Sequence, residues 1–231
     1  DYDPSALDSL ASIGWAYDDG SALATFVNAT LITGLFSILL GGGLVAVARS
    51  GAGKMASESN ASLTALLFSV LTAAALLLPT ILGLLTDLSA ENETLLQDLF
   101  MHSLRAFIII AVMINVLLTV AQRKGETIQA SNWFVFMALA SFIFGSQFRF
   151  FGELAGSTQV VWLGERMTQS WVMISLFFAV AYHLVPRAAS RPIWSDSMTK
   201  ASMLLLFFTL PPFMMSSADA GTLLENLGAI L

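Results

Sequence analysis

Residues 182–194 read YHLVPRAASRPIW, the point at which a long apolar run turns into a basic corner. Upstream of it, residues 171–185 (WVMISLFFAVAYHLV) are almost wholly apolar and predict a helix. Pro186 and Pro192 are predicted to forbid its continuation, because proline lacks an N–H and its ring collides with the preceding turn. Arg187, Arg191 and Lys200 follow. Positive charge beside an apolar segment is retained on the cytoplasmic side of a membrane. The corner therefore predicts the orientation of every other segment.

Composition supports a membrane setting. The 231 residues are 56% hydrophobic and only 11% charged, with a formal net charge of −6, whereas soluble domains carry about 25% charged residues. The length predicts one bundle of spans of about 20 residues each. The absence of cysteine excludes disulfides, iron–sulfur clusters and thiolate-bound metals. Two histidines, His102 and His183, leave little for metal or haem ligation. No basic face exists to neutralise phosphates, so nucleic acid is not a partner. The sequence does not begin with Met, which predicts processing or a longer precursor.

Six transmembrane spans are predicted, at about 21–48, 61–85, 100–121, 132–150, 160–185 and 201–215. Residues 1–20 carry five Asp and no basic residue, with Trp15 and Tyr17 as interfacial aromatics, and are expected to be extracytoplasmic. Gly41-Gly42-Gly43 in the first span predicts close helix contact. GAGK at 51–54 invites a phosphate-loop reading, but Met55 stands where Ser or Thr is required and no strand pattern precedes it. A short cytoplasmic loop marked by Arg49 and Lys54 is the better reading. Pro79 predicts a kink in the second span. The acidic stretch 87–98, with Asn92-Glu93-Thr94 as a glycosylation triplet, is expected outside, and Gln122-Arg123-Lys124 inside. Pro211-Pro212 are expected to interrupt the last span. Residues 218–231 read as an extracytoplasmic tail or the start of a further helix cut short. Both termini then lie outside, and all the loops rich in Lys and Arg lie inside.

Four pieces resemble the catalytic subunit of cbb-type haem–copper oxidases, the C family related to nitric oxide reductases. They are IQASNWF at 128–134, YHLVPRAASRPIWS at 182–195, LPPFMM at 210–215 and ENLG at 225–228. Their order and spacing match the fifth helix, the end of the sixth with its following hairpin, the seventh, and the start of the next. The resemblance covers about half of the chain and implies an all-α integral membrane fold within a haem–copper-oxidase-like bundle. It also implies a degenerate site. Where the family has a copper-binding histidine on the sixth helix, this chain has Arg166, after Gly164 and Glu165. The paired histidines after the seventh-helix proline are Phe213 and Met214, and the following tyrosine is Ser216 or Ser217. No histidine stands in 21–48 for the low-spin haem. Copper requires imidazole nitrogens, which Arg, Phe and Met do not supply.

The residues that remain as candidates are few. His102 stands at a depth suited to a haem ligand, or faces headgroups as an interfacial histidine. His183, in the last turn of its span, is expected to cap the helix dipole or snorkel rather than bind metal. Arg149 and Glu153 are four apart and pair if the helix runs past Phe150. Glu165 and Arg166 lie a turn inside the fifth span, where charge is usually paired. One reading places the Arg166 guanidinium in the vacated copper cavity, paired with Glu165 or Glu153; the other places both at headgroup level. Arg105, three residues after His102, carries the same ambiguity. The methionines, Met167, Met173, Met198, Met203, Met214 and Met215, read as gap-fillers in an apolar core.

These readings predict a non-catalytic scaffold or accessory subunit of a respiratory complex in a prokaryotic-type cytoplasmic membrane. Its expected partners are other membrane subunits of that complex, lipid, and a c-type cytochrome on the acidic outer face. No cofactor is predicted; haem b on His102 is the one candidate. Two rival readings remain: a redox-active haem b subunit, and a proton or ion pathway using Arg149, Glu153, Glu165 and Arg166.

Overall fold

The structure, a computed structural model, describes residues 22–51, 53–85, 99–123, 128–193 and 195–214. The expectations for 1–20, the acidic stretch 87–98 with its glycosylation triplet, Ser216 and Ser217, the ENLG piece and the tail fall outside the described residues. So do those for the side chains of Pro79, Phe213 and Met214.

All regular structure among the described residues is helical. The helices are α1 (Ala22–Ser50), α2 (Glu58–Leu85), α3 (Arg105–Ala121), α4 (Ala130–Ala155), α5 (Thr158–Arg166), α6 (Val172–Ala188) and α7 (Asp196–Met214). A π-helical turn, Leu99–Leu104, leads into α3, and a second, Met167–Trp171, joins α5 to α6. The wider π turn accommodates an extra residue without ending the helix. Among the described residues three segments are long and apolar enough to cross a membrane: Thr33–Ser50, His102–Ala121 and Ala130–Ala155. Val172–Ala188 is apolar but shorter. The chain divides into two compact units, residues 1–38 and 39–231. Of the first, residues 22–38 are described; they form the opening turns of α1, where the Ser37 hydroxyl donates to the Thr33 carbonyl at 2.8 Å.

The burial pattern of α3 shows why this is a membrane protein. Phe107 is 61% exposed and Ile114 53%, while Arg105, Asn115 and Thr119 on the same helix are 4%, 3% and 2% exposed. Water would favour the reverse arrangement. A hydrocarbon surround favours this one, because polar groups then find partners only inside the protein.

Within the second unit α4 is the central helix. α3, α5, α6 and α7 pack against it, and α2 packs on α3. Val135, Ala138 and Leu139 are buried on α4, as are Val172, Leu176 and Ala179 of α6 and Ile109 and Val116 of α3, the helices that pack against it. Phe134 stacks on Tyr182 with ring centroids 5.3 Å apart, and the Tyr182 hydroxyl lies 3.2 Å from Ser202 Oγ of α7. Of the three consecutive glycines in α1, two are used for close approach. A Cβ on Gly42 would sit 2.9 Å from Val180 Cγ2, and one on Gly43 would sit 3.0 Å from Val135 Cγ2, whereas Gly41 faces open space.

The prolines behave differently from the sequence expectation. α6 continues through Pro186 to Ala188. Pro186 leaves the Tyr182 carbonyl without its helical donor, but it stands in the last turn, where only that one bond is forfeited. The chain turns just after it, with Arg191 N–H bonded to the Pro186 carbonyl at 3.0 Å and Ser190 at φ 50°. α7 likewise runs through Pro211 and Pro212 to Met214. α4 outlasts its expected end at 150 by five residues and stops at Ala155. There Gly156, at φ 65°, accepts the left-handed conformation that ends the helix and starts the turn into α5.

Candidate functional site

The charged side chains inside the bundle gather at the end of α4 that carries Arg149. The α4–α5 hairpin brings two backbones into contact through glycines. A Cβ on Gly164 would collide with the Arg149 backbone nitrogen and stand 2.6 Å from the Gly145 carbonyl oxygen. A Cβ on Gly152 would stand 2.7 Å from the Val161 backbone nitrogen. With the helices this close, Glu165 Oε1 accepts directly from Arg149 Nη1. The pair is half-buried, with side-chain exposures of 18% and 36%.

Arg105 is engaged differently. Its guanidinium carbon lies 4.1 Å from the centroid of the Phe68 ring on α2 and 5.8 Å from that of Phe142 on α4. The negative faces of the two rings receive a cation that hydrocarbon would not solvate. His102, on the π turn before α3, is half-buried, and both Arg149 and Arg105 act on it electrostatically.

The structure corrects the expected role of Arg166. The reading in which Arg166 fills a vacated cavity and pairs with Glu165 or Glu153 does not hold. Successive residues of a helix point about 100° apart, so while Glu165 turns inward to Arg149, Arg166 is exposed and lies over the Trp162 ring at 5.3 Å. Glu153 lines a shallow cleft with Glu165, Gly156 and Ser157. The helix does run past Phe150, as an Arg149–Glu153 pairing requires, but among the described residues Arg149 forms an ion pair with Glu165.

The opposite, basic end of the bundle carries Arg49, Lys54, Arg123 and Arg187, and its buried polar groups are neutral. Asn115 Oδ1 accepts from the Ser57 N–H at 3.0 Å and Asn115 Nδ2 donates to the Ser57 carbonyl at 2.8 Å. Thr119 Oγ1 accepts from the Ala56 N–H at 2.8 Å. Asn132 Nδ2 donates to Ser50 Oγ at 2.8 Å. These bonds clamp the loop between α1 and α2, which contains GAGK. Gly53, at φ 88°, donates from its N–H to the Ala48 carbonyl at 3.0 Å and closes the end of α1. The motif therefore forms a helix-ending turn, with no strand before it. Asn115 and Thr119, four residues apart in an otherwise apolar run, were the signal for this clamp that a reading centred on charge overlooks.

His183 does not snorkel. It is 5% exposed, and its Nε2 lies 2.6 Å from Arg187 Nη1. Because the guanidinium only donates, Nε2 accepts and the imidazole is neutral, protonated at Nδ1. The two histidines stand at opposite ends of α4, His183 beside Ala130 and His102 near Arg149. The 19 residues between those ends span roughly 28 Å at about 1.5 Å per residue. The residues present thus do not fit a haem held by both histidines of one chain. Among the described residues no group of three or more His, Asp or Glu side chains is placed to hold a metal. Of the methionines, Met167 is buried as a gap-filler, whereas Met198 is 72% exposed.

No protein-family model matches this chain, and neither a curated protein nor a solved structure matches it. The likeness to the cbb-type oxidase subunit rests on the four quoted pieces of sequence.

Proposed function

We propose that the chain is a non-catalytic, oxidase-subunit-like membrane scaffold or accessory component of a respiratory electron-transfer complex. It spans a prokaryotic-type cytoplasmic membrane six times, with both termini on the extracytoplasmic side. The observation that carries this reading is the way the interior charges are engaged. Arg149 is held by Glu165 and Arg105 lies over Phe68, so both guanidinium groups serve to join helices. The outward faces meanwhile offer large apolar residues, such as Phe107 and Ile114 on α3 and Phe144 and Phe148 on α4, to lipid or to the helices of partner subunits. The positive ends of the spans support the sidedness.

The test is purification of the tagged chain in mild detergent, followed by mass spectrometry of its companions and a pyridine haemochrome spectrum and copper analysis of the separated chain. The reading expects redox subunits among the companions and neither haem nor copper on the chain itself. Stoichiometric b haem that disappears in His102→Ala would make the chain an electron carrier. Recovery as a lone chain that conducts ions in vesicles, with conduction lost in Glu165→Gln, would make it a pathway.

A further inference from the structure

The basic end of the bundle holds a feature that the scaffold reading does not use. A cavity of about 250 Å³ opens between the start of α4 and the end of α6, lined by Gln129, Ala130, Ser131, Tyr182, His183 and Arg187, among others. Three independent features give it an anion-binding character. First, α4 is a helix of 26 residues whose N-cap, Gln129, provides no side-chain cap. The Asn132 N–H is taken by the Gln129 carbonyl at 3.0 Å, but the N–H groups of Ala130 and Ser131 have no acceptor within the helix, and with the positive end of its dipole they favour a bound anion. Second, Ser131 lines the cavity at 2% exposure, and its hydroxyl makes no hydrogen bond among the described residues. Third, Arg187 stands on the opposite wall with its guanidinium held by His183. That contact uses one N–H of five and leaves a bidentate donor for an oxyanion.

A second groove adjoins this cavity and shares Tyr182, Pro186 and Ile193 with it. It encloses about 370 Å³ and its lining is mostly apolar, with Phe178, Ala181, Val185 and Pro192, together with Arg191. A polar, cationic pocket continuous with an apolar groove at the end of a transmembrane bundle matches one kind of ligand, an amphiphile with an anionic head. A soluble phosphate would make no use of the groove.

We propose that this pair of cavities is a binding site for an anionic phospholipid. Its phosphate sits between the N-terminus of α4, the Ser131 hydroxyl and Arg187, and an acyl chain lies along Phe178, Val185 and Pro192. The GAGK turn, the obvious phosphate motif of the sequence, takes no part.

Native mass spectrometry of the full chain in detergent, titrated with phosphatidylglycerol, phosphatidylcholine or inorganic phosphate, tests the proposal. One phosphatidylglycerol is expected to bind in preference to phosphatidylcholine. Arg187→Gln is expected to weaken it about tenfold, the size of a lost charge-assisted hydrogen bond. Ser131→Ala, which leaves the His183–Arg187 contact intact, is expected to weaken it about threefold. Arg166→Gln, at the other end of the bundle, is expected to leave it unchanged. Equal binding of phosphatidylcholine, or undiminished phosphatidylglycerol binding in both Arg187→Gln and Ser131→Ala, would overturn the site. Displacement of the lipid by an equal concentration of inorganic phosphate would show that the site serves a soluble anion and would overturn the lipid assignment.

Discussion

The two ends of α4 solve the same problem in different ways. At the basic end, buried polarity is neutral: Asn115 and Thr119 meet backbone groups of the loop at 56–57, and Asn132 meets Ser50. At the other end it is charged: Arg149 meets Glu165 and Arg105 meets two aromatic faces. An amide that accepts from one backbone N–H and donates to one carbonyl satisfies two groups that hydrocarbon would leave unpaired, and no charge has to be desolvated. An ion pair must first overcome the desolvation of both partners, so its net contribution is small even where its geometry is good. The neutral contacts of the basic end are therefore expected to lose more on mutation than the ion pair of the other end, although the charges draw attention first.

Four experiments would break or sharpen that contrast. The largest effect is expected from the backbone contact beneath the ion pair. Gly164→Ala forces a methyl group against the Arg149 backbone and should destabilise the α4–α5 hairpin by about 3 kcal/mol, read as a large fall in the thermal midpoint of the detergent-solubilised chain. Next comes Asn115→Ala, which strands the Ser57 N–H, leaves the Ser57 carbonyl with the Ala61 N–H alone, and should cost about 2 kcal/mol, measured by the same melt. It should also raise hydrogen exchange at Ala56 and Ser57, and an unchanged exchange rate there would show that the clamp is not holding the loop. Third is the ion pair itself. A double-mutant cycle of Arg149→Met and Glu165→Gln should give a coupling of about 1 kcal/mol or less; a coupling as large as the loss at Asn115 would reverse the ranking of the two ends. The smallest effect is expected from Arg166→Ala, about 0.5 kcal/mol from the exposed contact with Trp162. If Arg166 instead filled an interior cavity, its removal would exceed that of Arg149.

Much of the helical order was legible from apolar run lengths and from the basic residues between them. The stretch around 186 shows where that reading goes astray. Proline is expected to end the helix, yet α6 runs two residues further and turns only where Arg191 bonds back to Pro186. Proline forbids its own N–H bond, not the helical dihedrals of its neighbours, and near a helix end that single loss is tolerated. The candidate site was legible in part. Arg149 and Glu165 both stand out in the sequence, but their partnership does not. They are 16 residues apart, and only the hairpin at Gly156 with the contacts at Gly164 and Gly152 brings them together. Arg166 attracted a role through its neighbour in sequence and lost it through the helical turn between them.

Composition and periodicity alone determined that this chain is helical and suited to a membrane, because a run of about 20 apolar residues has no other stable way to satisfy its backbone in hydrocarbon. The basic clusters determined an expected orientation for the same kind of reason, the charge preference of the cytoplasmic face. Which charge meets which, which of three glycines touches a neighbour, and that an uncapped helix start faces an arginine across a cavity were decided only by the tertiary structure. Those outcomes depend on helix rotation and on approach distances of about an ångström, and residue identity along the chain carries neither.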